Sequence, residues 1–314
     1  MKYGRYSFTC TFETDAALPP YKGSTIRGIF GHALKKVVCA LKKQDCKSCP
    51  LSSKCIYPNI FEMPPDPGVL AGRKRISSPP HPYVIEPPAE QKTNYYRDDS
   101  FNFILLIFGA VNDYLPYFIY AFDQMGQMGI GKKIDGRRAS FSLQQVTMED
   151  TVIYSKADGR INMPLSLPEL SIKLPQQASS LNNLKLEIKL ETPLRIKYQN
   201  TLNAELPFHV LTRSMLRRAS SLLAFYGDGE PPLDYRGMVQ RAEQVRITNS
   251  GIKWFDWRRY SNRQEQAMLI GGMTGSVIYE GQLAEYMPLL RFCEQVHTGK
   301  QTTFGLGKFV VRQL

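Results

Sequence analysis

Long apolar runs are missing from this chain of 314 residues, and their absence narrows the classes of protein to which it can belong. No stretch approaches the roughly 18 uninterrupted apolar residues of a membrane-spanning helix. The first residues, Met1 to Asp15, contain no apolar run ahead of a small-residue cleavage site of the kind that ends a secretory leader. We therefore expect a cytoplasmic protein with no membrane partner.

Several common catalytic motifs are absent as well. The sequence has no Gly-x-Ser-x-Gly motif for a serine nucleophile, and no pair of carboxylates stands out for two-metal phosphoryl chemistry. Its glycine-rich segments do not end in the Gly-Lys-Ser/Thr of a nucleotide-binding loop. Histidine is scarce, with four in the whole chain, so chemistry that needs an imidazole has few candidates.

Positive charge, by contrast, is in excess. The chain has 40 Lys and Arg against 28 Asp and Glu, a net charge of +12. Such a balance attracts polyanions, although charge taken alone does not distinguish among RNA, DNA and an anionic membrane. Between Lys22 and Lys54 there are eight basic residues and one acid, Asp45. This clustering predicts a basic surface patch, and the alternative is a solvated basic helix without a partner.

Apolar periodicity predicts the same order of elements in both halves of the chain. Alternation predicts a first strand over Tyr3 to Thr14, with every second residue from Tyr6 to Phe12 on its buried side. Ser24 is the expected N-cap of a helix that runs to about Leu41. Further strands and helices complete a βαββαβ order, which the residues from Leu184 onward repeat without sequence repetition.

This order predicts an α+β fold of two ferredoxin-like (RRM-like) domains in tandem. Composition also suits a globular protein, since 43% of the residues are hydrophobic and 22% are charged. The expected domains are residues 1–175 and 183–314, separated by a link that contains Pro and Ser. An insertion rich in Cys and Pro, at about residues 39–100, interrupts the first domain.

Four cysteines at the start of the insertion form the strongest local chemical signal. Cys39, Cys46, Cys49 and Cys55 have the spacing C-x6-C-x2-C-x5-C. In a reducing compartment, close cysteines hold a metal more often than they form disulfides. Structural zinc is the first expectation and an iron–sulfur cluster the second, because Pro50 follows Cys49 as in ferredoxin-type motifs.

His32 is the first candidate for catalysis. It lies outside the apolar arc of the first helix, near Lys36, and this pair can move a proton and stabilise charge on a phosphate. The alternative is that His32 is a solvated polar residue. His297 is the reserve candidate because it directly precedes the glycine-rich segment from Gly299 to Lys308, which serves equally as a tight turn or as a phosphate cradle.

These residues resemble a known family. Tyr21-Lys22-Gly23-Ser24-x-x-Arg27-Gly28, which leads into Gly31-His32-Ala33, and above all the terminal Thr302-Thr303-Phe304-Gly305-Leu306-Gly307-Lys308-Phe309 are similar to the CRISPR-associated RAMP-superfamily endoribonucleases that process precursor crRNA. The four-cysteine insertion resembles that of a bacterial subgroup. The similarity extends over nearly the whole chain.

The resemblance implies an endoribonuclease that cuts CRISPR repeat RNA without a metal ion. A ribose 2′-hydroxyl attacks the adjacent phosphate in such enzymes, and the products carry a 2′,3′-cyclic phosphate and a 5′-hydroxyl. The implied catalytic residues are His32 as general base or acid, Lys36 for transition-state charge and Tyr21 for positioning. The implied RNA-binding residues are Arg27, Lys35, Arg137, Arg138, Arg213, Arg217, Arg218, Lys300, Gly305, Gly307 and Lys308.

Two other functions stay open at this point. A non-catalytic RAMP subunit that binds crRNA in an effector complex has the same folds and charge, but it does not need His32. A metal-stabilised nucleic-acid-binding module unrelated to CRISPR is the third hypothesis. CRISPR repeat RNA or crRNA is the expected partner under the first two hypotheses, and effector-complex subunits are further expected partners.

Overall fold

The structure, a computed structural model, describes residues 1–42, 45–63, 79–173, 183–198, 201–202, 204–261 and 266–314. The chain divides into two compact units, the N-terminal unit (residues 2–169) and the C-terminal unit (residue 1 with residues 170–314). Most of the predicted link and part of the predicted insertion, residues 174–182 and 64–78, lie outside the described residues. Within the described ranges, no helix is long and apolar enough to cross a membrane.

The N-terminal unit contains both β-strands and α-helices. Its described strands and α-helices are β1 (Tyr3–Phe12), β2 (Ala16–Ala17), α1 (Gly23–Val38), β3 (Tyr83–Glu86), β4 (Asn94–Tyr95), β5 (Ser100–Phe108), α2 (Leu115–Met128), β6 (Ile130–Ile134), β7 (Arg137–Ala139), β8 (Phe141–Met148) and β9 (Thr151–Ser155). A π-helical turn (Pro58–Glu62) lies between α1 and β3.

The main sheet of this unit is antiparallel and has the strand order β3-β5-β1-β8-β9. Its first four strands follow the ferredoxin-like order, in which the first strand of the βαββαβ motif lies between the third and the fourth. The predicted buried side of β1 is confirmed, since every second side chain from Tyr6 to Phe12 is fully buried. Helices α1 and α2 pack together through stacked Phe30 and Phe122, with ring centroids 4.4 Å apart.

The C-terminal unit repeats this arrangement. Its described strands and helices are β10 (Leu184–Leu194), α3 (Phe208–Tyr226), α4 (Tyr235–Ala242), β11 (Arg246–Ser250), β12 (Lys253–Ser261), β13 (Gln266–Gly281), α5 (Met287–Val296) and β14 (Phe309–Gln313). The antiparallel sheet order is β11-β13-β10-β14, which is again ferredoxin-like, and β12 pairs with β13 as a long hairpin. The predicted α+β fold of two tandem ferredoxin-like domains is therefore confirmed.

The bounds of α1 differ from the prediction at both ends. The helix begins at Gly23, and the residue at its N-cap is Lys22, whose side chain makes no capping hydrogen bond. Ser24 lies inside the helix, so its predicted capping role is wrong. The helix ends at Val38 because Cys39 has an extended backbone, with φ −81° and ψ 111°.

Candidate functional site

The solvent face of α1 carries two of the predicted catalytic side chains. His32 and Lys36 are both exposed, and residues four apart in a helix are neighbours on its surface. Lys36 Nζ donates a hydrogen bond to Gln124 Oε1 of α2 at 3.4 Å. Lys36 also lies in the last turn of the helix, where the helix dipole favours a cation. An imidazole and an ammonium group therefore share one open face.

The environments of the four histidines distinguish His32 from the rest. All four lie within the described ranges, and His32 is the exposed one. His81 Nδ1 is 3.2 Å from the Ile60 carbonyl oxygen. His209 and His297 are also engaged: the first contacts a tyrosine hydroxyl at 3.3 Å, and the second is fully buried. The Nδ1–H of His297 donates to a carbonyl oxygen of the C-terminal loop at 3.1 Å. The reserve candidate therefore has a structural role and no solvent access.

Tyr21 lies before the first turn of α1, at the opposite end of the helix from Lys36. At a rise of 1.5 Å per residue, the nine steps from Gly23 to His32 span about 14 Å along the helix axis. Tyr21 is half-buried. Burial raises the pKa of its phenol above the ordinary value, and the negative charge of Glu86 makes a smaller contribution. The helix thus separates Tyr21 from the His32 face, and its positioning role stays a prediction.

Two of the predicted RNA-binding cations of α1 lie over aromatic rings. The guanidinium of Arg27 is 4.1 Å from the centroid of the Phe61 ring. Lys35 Nζ is 5.5 Å from the centroid of the Tyr57 ring. Both rings belong to the segment that follows α1, so these cations also hold that segment against the helix. Their predicted contacts with RNA are untested.

One residue of the predicted basic patch is buried. Lys22 has no exposed surface, and its ammonium donates to the carbonyl oxygens of Glu90 at 2.8 Å and Pro20 at 3.3 Å. Burial lowers the pKa of Lys22, and the charge of Glu90 opposes this shift. The prediction of a surface patch is therefore wrong for Lys22. Exposed lysines of the patch that the structure does describe are Lys36, Lys42, Lys47 and Lys54.

A glycine in α1 makes room for the segment after the helix. A Cβ atom at Gly31 would collide with the ring of Phe61. The Phe61 ring also stacks on Tyr57 and Tyr83, with centroids 5.4 and 6.3 Å away, and lies edge-on to Phe30 at 6.3 Å. Phe61 therefore anchors the first part of the insertion on the helix that carries His32.

The four cysteines of the insertion line one small cavity. Cys39, Cys46, Cys49 and Cys55 all border it, and its volume is about 20 Å³, close to the space that one water molecule needs. All four are free thiols. Among the described residues, however, no group of three His, Cys, Asp or Glu side chains has the spacing of metal ligands. The structure thus brings the four cysteines together without forming a coordination site.

A basic hairpin lies beside α1 in the N-terminal unit. Strands β6 and β7 are joined by Asp135 and Gly136, whose φ values of 48° and 80° suit a two-residue hairpin turn. This hairpin contacts α1. Its exposed cations are Lys132, Lys133, Arg137 and Arg138. The predicted arginines therefore belong to a larger cluster of four cations that can bind a phosphate backbone.

The three predicted arginines of α3 have two different environments. Arg213 and Arg217, four residues apart, are exposed, and Arg213 is 5.9 Å from the centroid of the Tyr198 ring. Arg218 instead donates from Nη2 and Nε to the Val296 carbonyl oxygen, at 3.0 and 3.3 Å. Burial lowers the pKa of Arg218 to about 10. Arg218 therefore secures the end of α5 inside the C-terminal unit.

The glycine-rich segment is a tightly bonded turn. Gly305 and Gly307 have φ values of 83° and 79°, which glycine adopts readily. The Gly305 N–H donates to the Thr302 carbonyl at 2.8 Å, and the Gly307 N–H donates to the Pro193 carbonyl at 3.1 Å. A Cβ atom at Gly307 would overlap the carbonyl oxygen of Thr298. Both amides are thus used within the protein, and contacts of these glycines with RNA stay a prediction.

The two lysines of this segment differ in exposure. Lys300 is exposed. Lys308 is half-buried, and its Nζ lies 3.4 Å from a carboxylate oxygen of Glu191. Of the two, Lys300 is therefore the freer to approach an anion.

Strand β12 carries an aromatic surface that the sequence pattern did not predict. Phe255 is 52% exposed, and its ring stacks on that of Trp257 with centroids 5.9 Å apart. Exposed aromatic rings beside cations are the usual platform for unpaired bases. The sequence does contain a signal for this surface, since all but one of the residues from Lys253 to Tyr260 are aromatic or basic.

Two family models match the chain. The model AF_1859_N, described as an N-terminal domain, matches residues 1–165, and the model of the CRISPR-associated endoribonuclease Cas6 matches residues 188–309. An uncharacterized protein of Archaeoglobus fulgidus is 26% identical over 302 residues, which cover 94% of this chain and 93% of that protein.

Solved structures share the fold at low identity. The Thermus thermophilus Cas6, in its product complex, has a TM-score of 0.53 and 12% identity, and the similarity covers 100% of this chain and 99% of that one. A chain of a partial Cas6-RT-Cas1–Cas2 complex has a TM-score of 0.58 and 13% identity, over 100% of this chain and 46% of that one.

The AF_1859_N model spans just over half of the sequence, and the Cas6 model matches most of the second ferredoxin-like unit. The chain therefore belongs to the AF_1859_N family, and its second ferredoxin-like unit is similar to the CRISPR-associated endoribonuclease Cas6.

Proposed function

We propose that this protein is an endoribonuclease that cleaves CRISPR repeat RNA within precursor transcripts. The 2′-hydroxyl of one ribose attacks the adjacent phosphate, and no metal ion takes part. The products are a 2′,3′-cyclic phosphate on one fragment and a 5′-hydroxyl on the other. The match of residues 188–309 to the Cas6 endoribonuclease model supports this activity.

The observation that carries the proposal for this chain is the exposure of His32. It is the one histidine that combines solvent access with a neighbouring lysine on the same helix face. The three other imidazoles contact protein groups, and one of them is fully buried. RNA bound across α1 can therefore reach one accessible imidazole in the N-terminal unit.

His32 acts in the proposed mechanism as the proton-transfer group. As general base it takes the proton of the 2′-hydroxyl, or as general acid it gives a proton to the leaving 5′-oxygen. The Lys36 ammonium stabilises the negative charge that builds on the phosphate oxygens in the transition state. The bond from the attacking oxygen to phosphorus forms while the bond to the 5′-oxygen breaks, so the reaction needs no water and no co-reactant.

The cations of the β6–β7 hairpin and of α3 then hold the RNA backbone, each within its own unit. Their contribution is electrostatic, and the affinity should fall as salt is raised. Aromatic side chains such as Phe255 recognise the bases in this proposal. CRISPR repeat RNA is the proposed substrate, and subunits of a CRISPR effector complex are proposed partners.

The proposal is tested by incubating the purified protein in excess EDTA with a panel of CRISPR repeat RNAs. Matched RNAs carry a single 2′-deoxy substitution at each candidate cut site. We expect one cut per repeat, blocked by one deoxy substitution, because that substitution removes the nucleophile. Cleavage that survives every deoxy substitution would refute attack by the 2′-hydroxyl.

Substitution of His32 tests the site itself. We expect His32→Ala to lower the cleavage rate by about 10²–10⁴-fold and to leave RNA affinity nearly unchanged, because the imidazole acts in proton transfer. Lys36→Arg should retain more activity than Lys36→Ala, since it keeps the charge. The control His209→Ala should cleave at the wild-type rate. If His32→Ala also cleaves at that rate, the assignment is wrong.

The assay also distinguishes the alternative function. Tight RNA binding by the wild-type protein, with no cleavage of any repeat, would indicate a non-catalytic RAMP subunit that holds crRNA. His32 would then be a solvated residue on a basic helix.

A further inference from the structure

Four thiols surround the cavity at the end of α1, and the proposed cleavage of RNA uses none of them. Cys39 directly follows the last turn of α1, and its N–H donates to the Lys35 carbonyl oxygen. Cys46, Cys49 and Cys55 belong to the short turns that come next. Residues separated by up to 16 positions in the sequence therefore border one space of about 20 Å³.

The side chains around this cavity determine which ligand it can take. Its other described lining residues are Lys35, Leu41, Ser52, Tyr57 and Pro58. Among the residues that the structure describes, no carboxylate or imidazole borders the cavity, so the cysteines are its metal-binding side chains. A set of four thiolates selects zinc or an iron–sulfur cluster. The small volume fits a single ion, whereas a cluster also needs space for several iron and sulfide atoms. We propose that Cys39, Cys46, Cys49 and Cys55 bind one Zn²⁺ ion.

Binding requires the sulfurs to move closer together than they are in this structure, because no metal-ligand group is present among the described residues. Each sulfur must come to about 2.3 Å from the ion, which sets the sulfurs roughly 3.8 Å apart in a tetrahedron. The Cys49 N–H donates to the Cys46 carbonyl and the Cys55 N–H to the Ser52 carbonyl, both at 3.4 Å, so each of these hydrogen bonds spans only three residues.

Charge at the cavity also suits four thiolates around a divalent ion, a group with a net charge of −2. The Lys35 side chain lines the cavity together with the four cysteines. Its ammonium can offset part of that negative charge, since an opposite charge nearby favours a thiolate.

The bound ion has a structural role in this proposal, because four protein ligands leave no open position for substrate. Cys55 lies three residues before the π-helical turn that carries Phe61. Zinc would therefore tie the end of α1 to the segment whose ring packs against Gly31, and it would hold this part of the insertion on the helix that presents His32.

The test is the metal content of the full-length protein, purified without oxygen and without chelator. We expect about one zinc per chain and near-complete loss of zinc in Cys46→Ser. Ser52→Ala is the matched control, because Ser52 lines the same cavity without a sulfur, and this variant should keep its zinc. Adding Co²⁺ to zinc-stripped wild-type protein should give the visible absorption of a tetrahedral thiolate site, a result that does not depend on the folding of any variant.

Three outcomes would overturn the proposal. Wild-type protein that contains only traces of zinc and takes up no Co²⁺ would show that the thiols do not form a metal site. Iron accompanied by acid-labile sulfide would identify a cluster instead. Equal zinc content in Cys46→Ser and wild-type protein would place the metal elsewhere. None of these outcomes bears on attack by the 2′-hydroxyl, because that proposed step uses no metal ion.

Discussion

The contact between Gly31 and Phe61 makes the effect of one substitution depend on another. Gly31→Ala should destabilise the wild-type protein, because the new Cβ displaces the Phe61 ring. In a Phe61→Ala background the same change should stabilise, since the space is then open and alanine is favoured over glycine in a helix by about 1 kcal/mol. The sign of the effect therefore reverses with the identity of residue 61.

The magnitude follows from the packing of the Phe61 ring. Truncation of a fully buried phenylalanine to alanine costs about 3–5 kcal/mol. Phe61 is half-buried, so we expect about 2–3 kcal/mol for Phe61→Ala. Gly31→Ala sacrifices a similar amount of packing and adds helix propensity, a net cost of about 1–2 kcal/mol. The coupling energy of the double-mutant cycle should then be about 2–3 kcal/mol.

The assay must report on the N-terminal unit. Both tryptophans of the chain, Trp254 and Trp257, lie in the C-terminal unit, so their fluorescence does not follow α1. Hydrogen exchange of peptides from α1 and from the π-helical turn measures the local free energy of opening directly.

Gly28→Ala is the matched control for this cycle. It lies in the same helix, but a Cβ atom there meets nothing within 4 Å. It should stabilise α1 by about 1 kcal/mol in both backgrounds. An equal effect of Gly31→Ala with and without the Phe61 ring would refute a steric conflict between the new Cβ atom and that ring.

Two further predictions concern single side chains in each unit. Tyr6→Phe removes the donor that lies 2.9 Å from Asn112 Oδ1 in the buried N-terminal core, and it should cost about 1–3 kcal/mol in the free energy of unfolding, measured by circular dichroism. A cost of less than about 0.5 kcal/mol would contradict a buried hydrogen bond there. Replacing both Arg213 and Arg217 with Gln should weaken RNA binding. The slope of log K against log [salt] should become shallower by about 0.7 for each phosphate that is no longer neutralised. Arg218→Gln should instead lower stability and leave the salt dependence of RNA binding unchanged. Equal salt dependence in the wild-type protein, the Arg213/Arg217 double variant and Arg218→Gln would argue against RNA binding at α3.

Local periodicity predicted most of the secondary structure, because the apolar pattern of a helix or a strand repeats over neighbouring residues. The strand expected from Tyr3 to Thr14 is observed at Tyr3–Phe12, and the helix expected between Ser24 and about Leu41 is observed at Gly23–Val38. Short elements without a clear period were missed, among them α4 and the strands β6 and β7. The same applies to the N-cap of α1, where burial of the Lys22 side chain replaces the expected serine cap.

Within the candidate site, the sequence predicted which side chains form a group but not which of them are exposed. Spacing alone brought the four cysteines into one group, and they do line one cavity. The solvent exposure of a side chain could not be predicted from spacing, because it depends on contacts with residues that are distant in the sequence. His297 and His32 both lie next to basic or glycine-rich segments, yet the first bonds to the Leu306 carbonyl and is buried, while the second faces solvent.

The sequence by itself therefore determined the α+β order, the excess of positive charge and the group of thiols, since each is a property of nearby residues or of composition. Only the tertiary structure decided which of these side chains face solvent. Arg213 and Arg218 show the difference, because they lie on one helix and are only five residues apart. The packing of α5 against α3 holds the half-buried Arg218 at the Val296 carbonyl and leaves Arg213 exposed.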